Sequence, residues 1–376
     1  MTSLPKDDQR ASVSSQTDII SADDRIQLIG LTRSEMEDLF VSWGEKPFRA
    51  RQIWSWLHAK LVDDVDAMTD IAKLFRARLK TLCAPFTLTE SAHLISKDGT
   101  QKWLMALDDG QEIETVFIPD EERGTLCVSS QVGCTLNCPF CYTGAQGFAR
   151  NLTTAEIVAQ VRQARATLHK QQKRITNLVL MGMGEPLYNY DNVIRAIKIF
   201  NDDAGLAFGL RKITLSTAGV VPRMLQAGRA VGVNLAVSLH SVNDRVRDQL
   251  VPINRKYNLA ALQKAAKAYP LRGKKRITWE YVMLDGVNDS LADAKAFAQW
   301  MRGIPSKVNL IPFNPWPGTP YTPSDRAQIE RFQEVLRHAG YVTVIRDSRG
   351  DDIEAACGQL KGALRNVRPR KIAQNC

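Results

Sequence analysis

The run Gly133-Cys134-Thr-Leu-Asn-Cys138-Pro-Phe-Cys141-Tyr-Thr-Gly144 sets three cysteines in C-x₃-C-x₂-C spacing. A closed structural zinc site needs four ligands, usually as two spaced pairs, and no histidine lies near enough in the chain to complete one. A cubane 4Fe–4S cluster also takes four thiolates when fully ligated. Three thiolates can hold such a cluster and leave one iron open. An open iron can bind a small molecule through oxygen and nitrogen and pass it one electron.

Other residues could serve the same chemistry. In Met181-Gly182-Met183-Gly184-Glu185-Pro186 the glycines let a backbone approach a ligand closely. The adjacent carboxylate could hold an ammonium by a charge-assisted hydrogen bond. Polar residues recur in Leu215-Ser216-Thr217, Ser238-Leu239-His240-Ser241 and Pro312-Phe-Asn314-Pro315. Gathered at one mouth, these groups would suit a ribose and a carboxylate, although each alone is more often a cap or turn residue. Cys127 lies seven residues before Cys134. Cys357 lies far away in Glu354-Ala-Ala-Cys357-Gly358-Gln359, behind the loop Asp347-Ser-Arg-Gly350-Asp351-Asp352. Small neighbours suit an exposed thiol on a mobile segment. A lone cysteine is more often buried and inert, the reading kept for Cys83, and Cys376 is terminal.

The elements that must position these groups follow from periodicity. Residues 1–24 are polar, acidic and Ser-rich, and read as disordered. Residues 25–85 read as a small helical accessory domain. In it Thr32-Arg-Ser-Glu35 is a capping box, Gly44 ends the first helix, Pro47 opens a second and Thr69 caps a third through Leu82. Its aromatic stripe reads as core. Residues 86–123 form a β-hairpin linker region, with turns at Lys97-Asp98-Gly99 and Asp108-Asp109-Gly110. Residues 124–348 alternate strands with helices. Strands are expected at 125–130, 177–181, 212–217, 234–239, 276–284 and 307–311, and a last one at 341–346 follows a further helix. That alternation implies parallel βαβ units, in which loops at the strand C-terminal ends carry the active site. Residues 349–376 hold the Cys357 loop and a basic tail.

Composition narrows the class. The chain has 376 residues, 44% apolar, enough for one large α/β barrel and a smaller domain. It shows no signal pattern and no run long enough to span a bilayer, which points to a soluble cytoplasmic protein. Seven cysteines, an odd number in a long chain, argue against a secreted disulfide framework. The net charge is +10. Basic residues cluster in Arg162–Arg174, in Arg272-Gly-Lys274-Lys275-Arg276 and in the tail from Lys361. A single cluster is usually a solvated face; three together favour a nucleic-acid partner.

Taken together, Thr125-Leu-Cys127-Val-Ser-Ser-Gln-Val-Gly-Cys134, the cluster run, Met-Gly-Met-Gly184-Glu185-Pro, Ser238-Leu-His240 and Ala-Ala-Cys357-Gly resemble the RlmN family. These are radical S-adenosylmethionine (SAM) enzymes, dual-specificity adenine C2 methyltransferases of 23S ribosomal RNA and transfer RNA. The resemblance runs from about residue 30 to about 365, with Tyr142 standing where a smaller residue is expected. It implies an α/β fold, a partial (β/α)6 radical-SAM barrel. It implies a 4Fe–4S cluster on Cys134, Cys138 and Cys141. SAM would be contacted by Gly184, Glu185, Ser216, Ser238, Leu239, His240 and Asn314. Two SAM molecules would be used per turnover. Cys357 would carry the methyl group, Cys127 would resolve the RNA adduct through a transient Cys127–Cys357 disulfide, and Glu114 would accept the proton. Further implied are an RNA-binding role for the accessory domain 25–85, a monomer, no membrane contact and an electron donor such as flavodoxin or ferredoxin. Two alternatives stay open: a Cfr-type enzyme methylating adenine C8 of 23S ribosomal RNA, and a non-methylating RNA-binding iron–sulfur redox protein.

Overall fold

The computed structural model describes residues 25–84, 88–271, 273, 275–365 and 367. The acidic segment 1–24, Arg272, Lys274, Cys376 and the tail cations Arg368, Arg370 and Lys371 lie outside the described residues.

The first helices are α1 (Arg33–Ser42), α2 (Phe48–Trp54) and α3 (Lys73–Leu82). Thr32 and Glu35 satisfy each other's backbone amides in the expected capping box. The third helix differs from expectation. It starts at Lys73 after Ala72, with no side-chain cap. Thr69 does not cap it, because it lies three residues before that N-cap, in the turn that follows Val65–Ala67, where its amide donates to the Ala67 carbonyl at 2.9 Å. Phe40, Trp54 and Phe75 are buried, as an aromatic core requires. Ion pairs dock this unit on the rest: Arg33 to Asp202 at 3.0 Å and Glu35 to Arg195 at 3.1 Å.

Strands β1 (Thr89–Ile95), β2 (Gln101–Ala106), β3 (Glu112–Asp120) and β4 (Arg123–Cys127) run antiparallel in turn. Gly99 (φ +83°) and Gly110 (φ +75°) make the two turns. β3 pairs directly with β4, so the hairpins continue the main sheet. β5 (Gln131–Gly133) and β6 (Phe148–Asn151) form a separate two-stranded sheet, with α4 (Tyr142–Gln146) between them.

Alternation then begins: α5 (Thr154–Lys170), β7 (Asn177–Leu180), α6 (Tyr190–Asn201), β8 (Ile213–Thr217), α7 (Val221–Ala230), β9 (Asn234–Ser238) and α8 (Asp244–Leu250). It ends with α9 (Leu259–Ala268), β10 (Ile277–Met283), α10 (Leu291–Trp300), β11 (Ser306–Pro312), α11 (Arg326–His338) and β12 (Val342–Ile345). The sheet order β4-β7-β8-β9-β10-β11-β12 is parallel throughout. The ten-strand order ends on β1 and β12, which are not paired with each other among the described residues. The barrel is therefore open along one side. β10 is buried along its whole length, as expected of a parallel strand covered on both faces.

Candidate active site

The three-cysteine loop hangs from the β5–β6 sheet, in which Gln131 pairs with Asn151 and Gly133 with Phe148. The Cys134 amide donates to the Gly147 carbonyl at 2.7 Å. Gly133 sits at φ +74°, where a Cβ would lie 2.2 Å from that same carbonyl oxygen. At Gly144 a Cβ would come within 2.9 Å of the Cys138 carbonyl. Two glycines thus allow the wrap. Burial raises the thiols of Cys138 and Cys141 above their ordinary value, and the neighbouring Cys134 and Cys141 raise Cys138 further. Three thiolates packed this way repel one another unless a metal centre offsets their charge, which is the donor set a 4Fe–4S cluster takes. Among the described residues no three His, Cys, Asp or Glu groups converge tightly enough for one metal ion. A cluster whose irons each take one thiolate spans a wider triangle, so the residues present fit it.

A cavity of ≈ 180 Å³ opens beside these thiols. Its wall brings together Cys134, Cys138, Cys141, Gly184, Glu185, Ser216, Ser238, His240, Asn314 and Cys357. Leu239 is the exception: it is buried in the core and is not among the residues that line this cavity. Gln131 ties the cluster loop to the second motif. Its Oε1 accepts from the amides of Thr135 (3.1 Å) and Glu185 (3.0 Å). Gly184, at φ +103°, lets the chain pass, since a Cβ there would lie 2.5 Å from Cβ of Gln131.

Glu185 is held by amides of Leu187 (3.0 Å) and Ala218 (2.7 Å), one on each carboxylate oxygen. Each oxygen keeps a lone pair for a ligand ammonium. Burial pushes its carboxyl up to about 7, against those amides. His240 accepts the Val282 amide on Nδ1 at 3.0 Å, so its ring proton sits on Nε2. Burial, then the Arg247 charge, push that ring down to about 3. Arg247 is fully buried and donates to carbonyls of Ala218 (2.7 Å), Leu239 (3.0 Å) and Ser238 (3.2 Å) and to Asn254 Oδ1 (2.8 Å). It knits the ends of β8 and β9 together and counters the negative charge of Cys138.

Cys357 is exposed, on the wall shared with a second cavity of ≈ 540 Å³ lined from β3, β4, β7, β8, β10, β11 and β12. Asn314 Nδ2 donates to the Cys357 carbonyl at 3.1 Å. Cys127 is buried at the end of β4. Burial pushes its thiol up to about 12, the charge of Cys357 adds to that, and Arg346 opposes it. Cys127, Cys357 and Arg346 therefore lie within electrostatic reach of one another. Arg346 follows β12, lines both cavities, and is held above its ordinary value chiefly by Cys357. Glu280 faces both cavities too, with Oε1 on Asn309 (2.9 Å) and Oε2 buried without a partner among the described residues. Neither Arg346 nor Glu280 carries a sequence signal beyond its place near a strand end.

Glu114 does not line either cavity. It lies beneath the Cys357 segment, paired with Lys102 at 3.2 Å and accepting the Lys361 amide at 2.9 Å. Tyr142 stacks on Trp316 with centroids 5.0 Å apart, and its amide donates to the Gly358 carbonyl at 2.8 Å. A large ring is accommodated there because it packs under the Cys357 segment.

The basic clusters divide. Arg162 is buried and docks the helical unit, donating to Leu57 O at 2.9 Å and pairing with Asp63. Arg165 donates to Leu206 O at 2.9 Å. Only Lys170, Lys173 and Arg174 of that segment present exposed charge.

Comparison with known proteins agrees with this geometry. Residues 26–84 match the family profile of the ribosomal RNA large subunit methyltransferase N-terminal domain, and residues 128–298 match that of the radical SAM superfamily. The chain is 62% identical over 346 residues to the dual-specificity RNA methyltransferase RlmN of Magnetococcus marinus, covering 92% of this chain and 97% of that protein. It is 52% identical to the protein of the same name from Phenylobacterium zucineum, over 94% and 95% of the two chains. The crystal structure of a radical SAM methyltransferase from Sphaerobacter thermophilus superimposes with a TM-score of 0.85 at 45% identity, covering 89% of this chain and 99% of that one.

Proposed function

The chain belongs to the RlmN family of radical SAM enzymes, and on that premise we propose that it methylates carbon 2 of adenosine in 23S ribosomal RNA and transfer RNA. One observation carries the reading. Cys357 stands on the wall between the thiol-lined cavity and the larger polar one, within electrostatic reach of Cys127.

Carbon 2 of adenine is electrophilic and has no acidic proton, so a direct methyl transfer from SAM fails there. Held by Cys134, Cys138 and Cys141, a 4Fe–4S cluster with SAM beside it would supply a carbon radical able to take hydrogen from a methyl thioether. Everything else falls to the chain's own residues. Glu185, His240 and the hydroxyls of Ser216 and Ser238 orient SAM in the smaller cavity. Cys357 takes a methyl group by displacement, and after hydrogen loss that carbon adds to the adenine. Glu114 accepts the carbon 2 proton. The adduct gives up its unpaired electron, returning the one spent in cleaving SAM, and Cys127 then attacks the Cys357 sulfur and breaks its bond to carbon; the freed carbon takes a proton to complete the methyl group, and the disulfide left behind must be reduced before the next turn. Two SAM molecules are spent. The base must leave its stack to reach Cys357, and the exposed cations and the helical unit hold the surrounding RNA.

The test is mass spectrometry of digested ribosomal and transfer RNA from cells with and without this protein. Loss of 2-methyladenosine is expected. Loss of 8-methyladenosine instead would make it a Cfr-type enzyme, and loss of neither would favour a non-methylating RNA-binding protein.

A further inference from the structure

Lys102 lies on β2 with its side chain 3% exposed. A buried ammonium is costly unless fully paired, and an apolar residue at such a position would usually be no worse. Its partners show what it joins. One is Glu114 Oε1 at 3.2 Å; the other is the Glu354 carbonyl at 3.1 Å. The second Glu114 oxygen accepts the Lys361 amide at 2.9 Å. The Lys361 ammonium in turn pairs with the Glu354 carboxylate. Lys102 and Glu114 therefore grip both ends of the segment 354–361, and Cys357 is the exposed residue near its middle.

The grip is reinforced outside the ion pairs. The Gly350 amide donates to Asp98 Oδ2 at 3.0 Å, and the Thr143 hydroxyl donates to the Leu360 carbonyl at 2.6 Å. At Gly362 any Cβ would strike the Glu112 carbonyl at 1.9 Å. Held so, Glu114 has one oxygen on a cation and the other on a backbone amide, and it reaches neither cavity.

We propose that Lys102 is a positioning residue which, through Glu114, latches the Cys357 segment closed, and that Glu114 becomes available to take a proton only when the Lys361 amide leaves it. One carboxylate serves both states. Closed, it fixes the thiol beside the SAM cavity for methyl loading. Lifted by docked RNA, the segment frees the same carboxylate for the base. The role given to Glu114 here rests on the function proposed above.

The experiment is hydrogen exchange on the full chain with its cluster loaded, comparing the parent with Lys102→Met and with the double variant Lys102→Met/Glu114→Leu. The double variant removes both charges and strands neither, so the fold survives even if the single variant is unstable. Losing a hydrogen bond to a charged group should speed exchange in the 354–363 peptide about tenfold or more, while β7 and α6 peptides keep the parental rate. For Lys102→Met, the single-turnover rate constant of methyl loading on Cys357 should fall about tenfold, with the SAM concentration giving half the maximal rate unchanged. Parental exchange of the 354–363 peptide in the double variant overturns the latch. A parent protein that takes no methyl on Cys357 would instead refute the function proposed above, while the latch is judged on exchange alone.

Discussion

His58 is buried completely within the π-helical turn Ser55–Ala59, its ring tilted 47° to that of Trp54 with centroids 4.2 Å apart. Neither ring nitrogen has a partner among the described residues. Burial, then the Arg162 charge, push the ring from 6.5 down to about 3. The folded chain therefore resists a proton that the unfolded chain accepts. The stability contribution is whole above pH 6.5 and is lost as pH falls toward 3. At pH 5 the folded ring is still neutral, so the loss is set by the distance below 6.5, worth about 2 kcal/mol at ~1.4 kcal/mol per unit. His58→Phe removes this dependence, and any packing penalty of the larger ring is the same at both pH values. Urea unfolding of both proteins at pH 7.5 and pH 5 gives the comparison. The variant should gain about 2 kcal/mol on the parent between the two. Parallel pH profiles would refute the reasoning. Since His58 abuts Gly205, a Cβ on which would lie 2.9 Å from Cβ of His58, the acid lesion should loosen the helical unit first. Faster hydrogen exchange of the peptide holding Trp54 and His58 at pH 5 than at pH 7.5, corrected for the intrinsic pH effect, would report that.

Cys127→Ala should accumulate a covalent protein–RNA adduct, seen as a nuclease-sensitive band on a denaturing gel; a clean protein without bound RNA would count against its resolving role. Gly144→Ala pushes a Cβ to 2.9 Å from the Cys138 carbonyl, so iron per chain should drop while far-UV circular dichroism is retained. Arg247→Met strands the Ala218 carbonyl and Asn254 Oδ1, and should cost about 3 kcal/mol in urea unfolding with no rescue by Arg247→Lys, which lacks the fork geometry.

Much of this was legible in the chain because each signal was local. The capping box at Thr32, the turns at Gly99 and Gly110, and the strand–helix alternation all arise from neighbours in sequence. The cluster run was visible because three thiols in eight residues have few structural uses. What stayed hidden depends on distant contacts. β5 and β6 are three and four residues long, too short for any periodicity, yet they clamp the cluster loop. Arg162 counts in the sequence as part of a basic cluster and Lys102 carries no signal at all; only the packed fold shows them buried against Asp63 and Glu114. Thr69 reads as a cap because the turn Val65–Ala67, which delays the helix start to Lys73, has no marked signature. Leu239 entered the SAM-contact set with its neighbours on Ser238-Leu-His240, but alternation along the strand end turns it into the core.

The central claim is that Cys357 carries the methyl group. It is tested most directly by incubating cluster-loaded protein with SAM bearing a deuterated methyl and mapping the label by peptide mass spectrometry. Label on the Cys357 peptide, passing into 2-methyladenosine when RNA is added, is the predicted result, and Cys357→Ala should keep its iron but transfer nothing. Full RNA methylation by Cys357→Ala, or label settling on another residue, would contradict the account.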